Sequence, residues 1–168
     1  MRIILIGFGV VGKSVTAILA RRYAEKVKDY GFNPKIVAIV DIDGAVINPR
    51  GLSTEKLETL RQKGAPISAD PEFGHPGMTA LDVIESVEAE VVVEVTPVNI
   101  KNGEPAMSHI TTAFKTGKHV VTTNKGPLAL ALPALMELAE YNNVYLRFSG
   151  TVGGGTPMLE FAKRCLAG

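Results

Sequence analysis

An α/β, doubly wound, mostly parallel sheet with helices on both faces is the fold this sequence predicts, and three observations predict it. Short Val- and Ile-rich runs at residues 2–6, 36–40, 91–95, 119–123 and 144–148 alternate with helical patterns. The runs are near-continuously apolar, as in strands buried on both faces. The first of them ends at a glycine-rich turn that opens a helix. Right-handed crossovers between parallel strands then place helices on both sides of the sheet.

Each element follows from local signals. The first helix is predicted from Val10 to about Tyr30, with Val11, Val15, Ile18, Leu19, Tyr23 and Val27 along one stripe. Arg21, Arg22, Glu25, Lys26 and Lys28 occupy much of the rest, and Gly31 and Pro34 stop the helix. The second strand is closed by Asp41 and a Gly-, Asn- and Pro-bearing stretch to about Leu52. Ser53 or Thr54 caps a helix carrying Leu57 and Leu60, which Gly64 ends. Pro66, Pro71, Gly74, Pro76 and Gly77 mark a loop. Thr79 caps a short helix through Val87, and Pro105 is the expected first residue of a helix to Lys115. A last helix is predicted from about Pro133 to Tyr141. Residues 1–149 make one domain on this pattern. Residues 150–168 read as a crossover and the start of a second, because Met158, Leu159, Phe161, Ala162 and Leu166 need something to pack against.

Composition narrows the function classes. The chain has 168 residues, 46% of them apolar, enough for a sizeable core and too apolar for disorder. Eighteen Lys and Arg against seventeen Asp and Glu leave a charge of +1, without the basic excess of an electrostatic nucleic-acid binder. The apolar run after Met1 is too short for a signal sequence or a membrane span. One cysteine, Cys165, excludes an internal disulfide and points to a reducing compartment. The expectation is a cytoplasmic chain without nucleic-acid or membrane partners.

Gly7-Phe8-Gly9-Val10-Val11-Gly12 follows the first strand and opens the first helix, the context that a dinucleotide-binding (Rossmann-type) fingerprint requires. Gly7 permits the tight turn, Gly9 lets backbone approach a pyrophosphate, and Gly12 lets helix pack on sheet. The free N–H groups of the helix N-terminus face the anion. The same residues also spell Gly7-x-x-x-x-Gly12-Lys13-Ser14, a phosphate-binding P-loop. In a P-loop the four intervening residues are loop, whereas Val11 falls in register with Val15, Ile18 and Leu19. The dinucleotide reading is therefore favoured over a nucleotide triphosphatase. Asp41, at the end of the second strand, is placed to accept hydrogen bonds from an adenosine ribose, favouring NAD. Its alternative is a cap for the Asp43-Gly44 turn. Arg50 is a candidate for a 2′-phosphate, favouring NADP, or else a solvated loop residue.

Thr96 and Asn124-Lys125 lie just past strand carboxyl ends, where open parallel sheets bind ligands. Lys125, followed by Gly126-Pro127, is either a ligand contact or a surface lysine in a turn. Glu94 interrupts an apolar strand and must be hydrogen-bonded or reach the crevice. His75, His109 and His119 show no metal-ligand spacing and are expected to be structural or exposed.

In order, these pieces resemble homoserine dehydrogenases. The matching motifs are Ile6-Gly-Phe-Gly-Val-Val-Gly12, Val93-Glu-Val-Thr-Pro97, Gly117-Lys-His-Val-Val-Thr-Thr-Asn-Lys-Gly-Pro127 and Gly150-Thr-Val-Gly-Gly-Gly-Thr-Pro-Met158. The resemblance implies NAD(P)-dependent interconversion of L-homoserine and aspartate 4-semialdehyde, on the route to threonine and methionine. It implies pyrophosphate contacts at Phe8, Gly9, Val10 and Val11, with Thr96 near the nicotinamide and Lys125 near nicotinamide and substrate. It further implies a monovalent cation, usually sodium, on the carbonyls of Val152, Gly154 and Thr156, although Ser149 stands where the family commonly has Glu. The family continues past the position of Gly168 into a substrate and dimerisation domain, and its proton-transfer residues lie there. Residues 1–168 are therefore expected to bind cofactor without turning over homoserine. The alternative is a stand-alone nucleotide-binding or regulatory module.

Overall fold

A computed structural model describes residues 1–21, 28–29, 31, 33–62, 64–154, 156 and 158–166. Seven strands form one sheet in the order β4-β3-β2-β1-β5-β6-β7. The strands are β1 (Arg2–Ile6), β2 (Lys35–Asp41), β3 (Gly44–Ile47), β4 (Gly74–Pro76), β5 (Val91–Glu94), β6 (His119–Thr122) and β7 (Leu146–Arg147). β1, β2, β5, β6 and β7 are parallel, while β3 and β4 add an antiparallel edge beside β2. The helices are α1 (Val10–Arg21), α2 (Thr54–Gln62), α3 (Ala80–Ser86), α4 (Ala106–Lys115), α5 (Lys125–Tyr141) and α6 (Met158–Phe161).

The near-continuous apolar strands are buried on both sides, as predicted. Leu5 of β1 packs with Leu57 and Leu60 of α2 and with Leu19 of α1. Its neighbours Ile4 and Ile6 join Val83 and Ile84 of α3, Ile110 and Phe114 of α4, and Leu135 of α5. One sheet thus separates two apolar cores, and doubly wound topology is the arrangement that supplies both.

Several local expectations hold. Ser53 Oγ accepts from the Lys56 N–H at the start of α2. Thr79 caps α3 in a reciprocal box with Asp82, whose carboxylate accepts from the Thr79 N–H. Pro105 occupies the cap of α4, one position before the predicted one.

Others are corrected. In α1 the buried residues are Gly12, Thr16 and Ala17, whereas Val11 and Ile18 are 43% and 53% exposed. The reason is the close approach at Gly12, where an added Cβ would stand 2.1 Å from the Gly7 carbonyl oxygen. A helix that near the sheet presents its smallest residues inward. The predicted continuation through Tyr23 and Val27 lies outside the described residues. The stretches predicted as loops around residues 42–52 and 66–77 contain β3 and β4; these strands are so short, and so punctuated by Gly and Pro, that alternation has no length in which to show. The last helix over the predicted span begins at Lys125, not Pro133. Pro127 fits its first turn, where no N–H is needed. Pro133 breaks the regular path at Ala131 (φ −148°, ψ 27°), dividing the predicted and unpredicted halves. The strand predicted at 144–148 narrows to Leu146–Arg147. The expected lead into a second domain is described as far as Leu166; Gly168, beyond which the proton-transfer residues are expected, lies outside the described residues.

The corner between α2 and β4 is held by Asp70. Its carboxylate accepts from the Phe73 and Glu72 N–H groups at 3.0 and 3.2 Å and from Lys56 Nζ at 3.1 Å. Burial pushes the Asp70 carboxyl up, but the Phe73 amide, the Lys56 ammonium and the Glu72 amide together hold it below the usual carboxylate range. A carboxyl depressed in the fold stabilises it above the unfolded-state pKa and loses that stabilisation as pH falls through the depressed value. Asp70→Asn is expected to cost about 1–3 kcal/mol near neutrality. Thermal unfolding from about pH 7 to about pH 2 should show that difference shrinking in acid; a constant difference would remove Asp70 from the acid response.

Candidate functional site

The topology reverses at β1, whose neighbours β2 and β5 are reached by chain running in opposite directions across the sheet. Open parallel sheets bind ligands in the crevice outside the strand carboxyl ends at such a point. The Gly7 N–H donates to Val40 O of β2 at 2.8 Å, and the Val95 N–H donates to Ile6 O at 2.9 Å. Gly7 is therefore wedged in the crotch of the sheet, with φ +97° and room for a Cβ only 2.9 Å from the Val95 carbonyl oxygen.

The three glycines of the loop answer to different constraints. Gly7 is required by its left-handed backbone and the strand beside it, and Gly12 by helix packing. Around Gly9 a Cβ would meet nothing within 4 Å. Neither packing nor a left-handed backbone demands glycine there, and the position leaves open space beside the start of α1. Phe8 turns into the core, while Val10 is 85% exposed beside the open loop.

The same geometry decides against the P-loop. The Lys13 N–H donates to Gly9 O at 2.9 Å, so helical bonding already spans the residues that a P-loop keeps as loop. Ser14 Oγ donates back to Val10 O, and Lys13 Nζ lies 5.8 Å above the Phe8 ring.

A cleft of about 670 Å³ opens from this loop along the strand ends, lined by Gly7, Asp41, Met78, Thr96, Glu104 and His109 among others. Asp41 is half-buried at its rim. Two residues on, the Asp43 carboxylate accepts from the Ser68 N–H at 2.9 Å and ties the β2–β3 turn to the segment before β4. Arg50 is a correction. β3 runs antiparallel to β2 and carries the chain back, so that the Leu52 N–H bonds to Ile36 O at the amino end of β2. Arg50 lines a separate depression there with Lys35 and Asn33. Several residues of extended strand, about 20 Å, separate it from Asp41.

Thr96 and Lys125 are brought together by a residue between strand and helix. Asn124 Oδ1 accepts from the Gly126 N–H and caps α5, while its Nδ2 donates to the carbonyls of Thr96 and Pro97 at 3.1 and 3.3 Å. A Cβ on Gly126 would lie 2.3 Å from Asn99 O, so only glycine lets α5 dock on this loop. Lys125 is exposed at the head of the helix rather than in a turn.

Glu94 is fully buried and accepts from the Thr96 N–H at 3.0 Å, the Thr96 hydroxyl, and the Thr122 hydroxyl at 3.1 Å. His109, expected to be structural or exposed, is buried at the back of the cleft with Nδ1 3.8 Å from Glu94 Oε1. The sequence carried a signal for it only in the amphipathic register of α4, where position 109 falls beside Ile110 and Ala113 on the inner face.

Val152, Gly154 and Thr156 lie in an exposed turn in which the Thr156 N–H donates to Gly153 O and Thr156 O accepts from the Met158 N–H. Gly155 and Pro157 are outside the described residues. In this turn the Thr156 carbonyl expected to face a cation is engaged by the Met158 N–H. Among the described residues no three His, Cys, Asp or Glu side chains gather as a metal site, and no helix is long and apolar enough to cross a membrane.

A glycine loop feeding a helix at the reversal of a doubly wound sheet, with an acidic residue at the next strand end, defines a dinucleotide-binding domain of the dehydrogenase type. Residues 7–149 match the family model for the homoserine dehydrogenase NAD-binding domain. Homoserine dehydrogenase from Methanocaldococcus jannaschii is 44% identical over the whole chain, which covers 49% of that protein. The NAD(+)-dependent homoserine dehydrogenase of Pseudomonas canavaninivorans is 40% identical over 99% of the chain and 47% of its own length. Among solved structures, homoserine dehydrogenase from Thermoplasma acidophilum superposes with TM-score 0.79 at 29% identity, covering 98% of this chain and 47% of that one. A hyperthermophilic archaeal homoserine dehydrogenase mutant in complex with NADPH gives 0.81 at 27% identity, with 98% and 49% covered. The chain belongs to the homoserine dehydrogenase NAD-binding domain family, and it spans about half the length of the curated relatives it matches.

Proposed function

We propose that this chain is the cofactor-holding part of an oxidoreductase that interconverts L-homoserine and aspartate 4-semialdehyde in threonine and methionine biosynthesis. The observation that carries the proposal is the Gly7–Gly12 loop opening α1 at the reversal of the sheet, with open space at Gly9 for an approaching pyrophosphate, inside a domain of this family. The N-terminus of α1 holds the pyrophosphate through the backbone of residues 8–11. Asp41 accepts from the adenosine ribose. Thr96 and Lys125, tied by Asn124, flank the nicotinamide, and Lys125 reaches the substrate. NAD(P), when bound, supplies the hydride acceptor or donor.

Residues 1–149 form the dinucleotide domain in this proposal, and 150–168 lead towards a substrate and dimerisation domain. The exposed Met158, Phe161 and Leu166 support that division. Proton transfer and homoserine turnover are assigned to that further domain, past the position of Gly168, together with homodimer formation. The lone, exposed Cys165 supports a cytoplasmic location. The sodium expectation rests on the resemblance alone.

Asp41 favours NAD, because a carboxylate at the ribose repels a 2′-phosphate and Arg50 is at the other end of the sheet. Titration of the chain with NAD, NADP, ATP and GTP tests both layers of the proposal. NAD(P) binding without ATP or GTP binding is expected, and Asp41→Ser should shift preference towards NADP. NADP binding the parent tenfold tighter than NAD, about 1.4 kcal/mol, would overturn the NAD assignment. Binding of ATP or GTP alone would overturn the dinucleotide site.

A further inference from the structure

Glu94 is a fully buried carboxylate with three hydrogen bonds and no Lys or Arg in ion-pair range among the described residues. A buried charge is retained only when it is paired. The one basic group beside it among the described residues is His109, 7% exposed, whose Nδ1 has no hydrogen-bond partner there. The gap of 3.8 Å to Glu94 Oε1 is about 0.9 Å longer than an N–H···O bond. That oxygen is also the one that accepts from both the N–H and the hydroxyl of Thr96. The imidazole and the Thr96 corner of the cleft therefore share a single acceptor atom.

We propose that His109 is a positioning residue for the cofactor cleft, acting through Glu94 Oε1 to fix the Thr96 corner. When the imidazole is charged it pairs with Glu94 and pins the carboxylate; when neutral it leaves the carboxylate held by Thr96 and Thr122 alone. Cofactor affinity is then expected to be higher where the imidazole carries a charge than where it does not. The other titratable groups around α4 do not supply this dependence. Asp82 of α3 is held by Thr79, His119 of β6 bonds the Tyr145 N–H, and Lys125 of α5 is exposed. Glu104 is engaged by Ser108 of α4, and Asp41 faces the cleft from the end of β2.

The inference rests on the dinucleotide reading of the cleft, so its test has one arm that needs cofactor and one that does not. NADH and NADPH are titrated by nicotinamide fluorescence between about pH 5.5 and about pH 8.5, where an imidazole changes charge. The parent is expected to lose about fivefold in affinity across that interval, the lower end of ordinary coupling between sites. His109→Gln, neutral throughout, should give a flat profile. In the cofactor-free parent, the Thr96 amide resonance should move with the His109 ring titration, and this measurement stands even where a variant fails to fold. Identical pH profiles in parent and His109→Gln, or a Thr96 amide indifferent to His109, would overturn the proposal. A parent that binds neither nucleotide while its Thr96 amide follows His109 would overturn the cofactor assignment and leave the coupling intact.

Discussion

Gly9→Val is expected to abolish NAD(P) binding while leaving the fold intact. The substitution adds an isopropyl group at a position whose Cβ has no protein atom within 4 Å and whose φ lies outside the left-handed region. Core and backbone therefore tolerate it, and the melting temperature should match the parent's within the equivalent of about 1 kcal/mol. The same open space is what a pyrophosphate needs to reach the helix N-terminus. Filling it should weaken NADH binding by at least about 100-fold, or about 2.7 kcal/mol, in a direct titration. A folded Gly9→Val protein with parental affinity would show that the dinucleotide does not lie on this loop.

Gly12→Ala, one turn away, is expected to do the opposite. Its single methyl group would stand 2.1 Å from the Gly7 carbonyl oxygen, which belongs to rigid backbone and cannot rotate aside. Either α1 lifts from the sheet or the Gly7 turn moves, and that turn is pinned to Val40 and crowded by Val95. The expected cost is about 3 kcal/mol, the upper part of the range for overpacking. For a chain of this size that lowers the midpoint of thermal unfolding by roughly 6–12 °C. A variant melting like the parent would mean that the close helix–sheet approach is not what fixes the loop. Together the pair separates glycine required by the ligand from glycine required by the fold, although both stand in one motif.

The contrast between these glycines also shows what the sequence could convey. The order and spacing of Gly7, Gly9 and Gly12 after an apolar strand point to the site, because the chemistry of a phosphate cradle is local in the chain. The parallel strands are legible for a related reason: burial on both faces removes polar residues from runs such as Val37–Val40. Strands β3 and β4 are not legible, since three or four residues between Gly and Pro carry no period. The inward face of α1 misleads for a different cause. Periodicity ranks residues by size and apolarity, yet the helix approaches so closely that Gly12 and Thr16 take the contact and Val11 and Ile18 are turned out. Arg50 suggests a cofactor contact because it follows Asp41 in sequence. Only the antiparallel return of β3 reveals that it lies at the far end of the sheet. The meeting of His109 with Glu94 is not legible for the converse reason, since the two are fifteen residues apart and come together only when α4 folds onto β5.

Asp41 and Asp43 divide between them the cleft rim and the turn beside it. Asp43 anchors the β2–β3 turn through Ser68, and burial pushing its carboxyl up is outweighed by the Ser68 hydrogen bonds, which leave it below the usual range. Asp41 sits two residues earlier, at the rim of the cleft, outside that structural bond. If Asp41 meets the ribose as proposed, a substitution there changes the cleft rim while the Asp43–Ser68 bond that holds the turn stays in place.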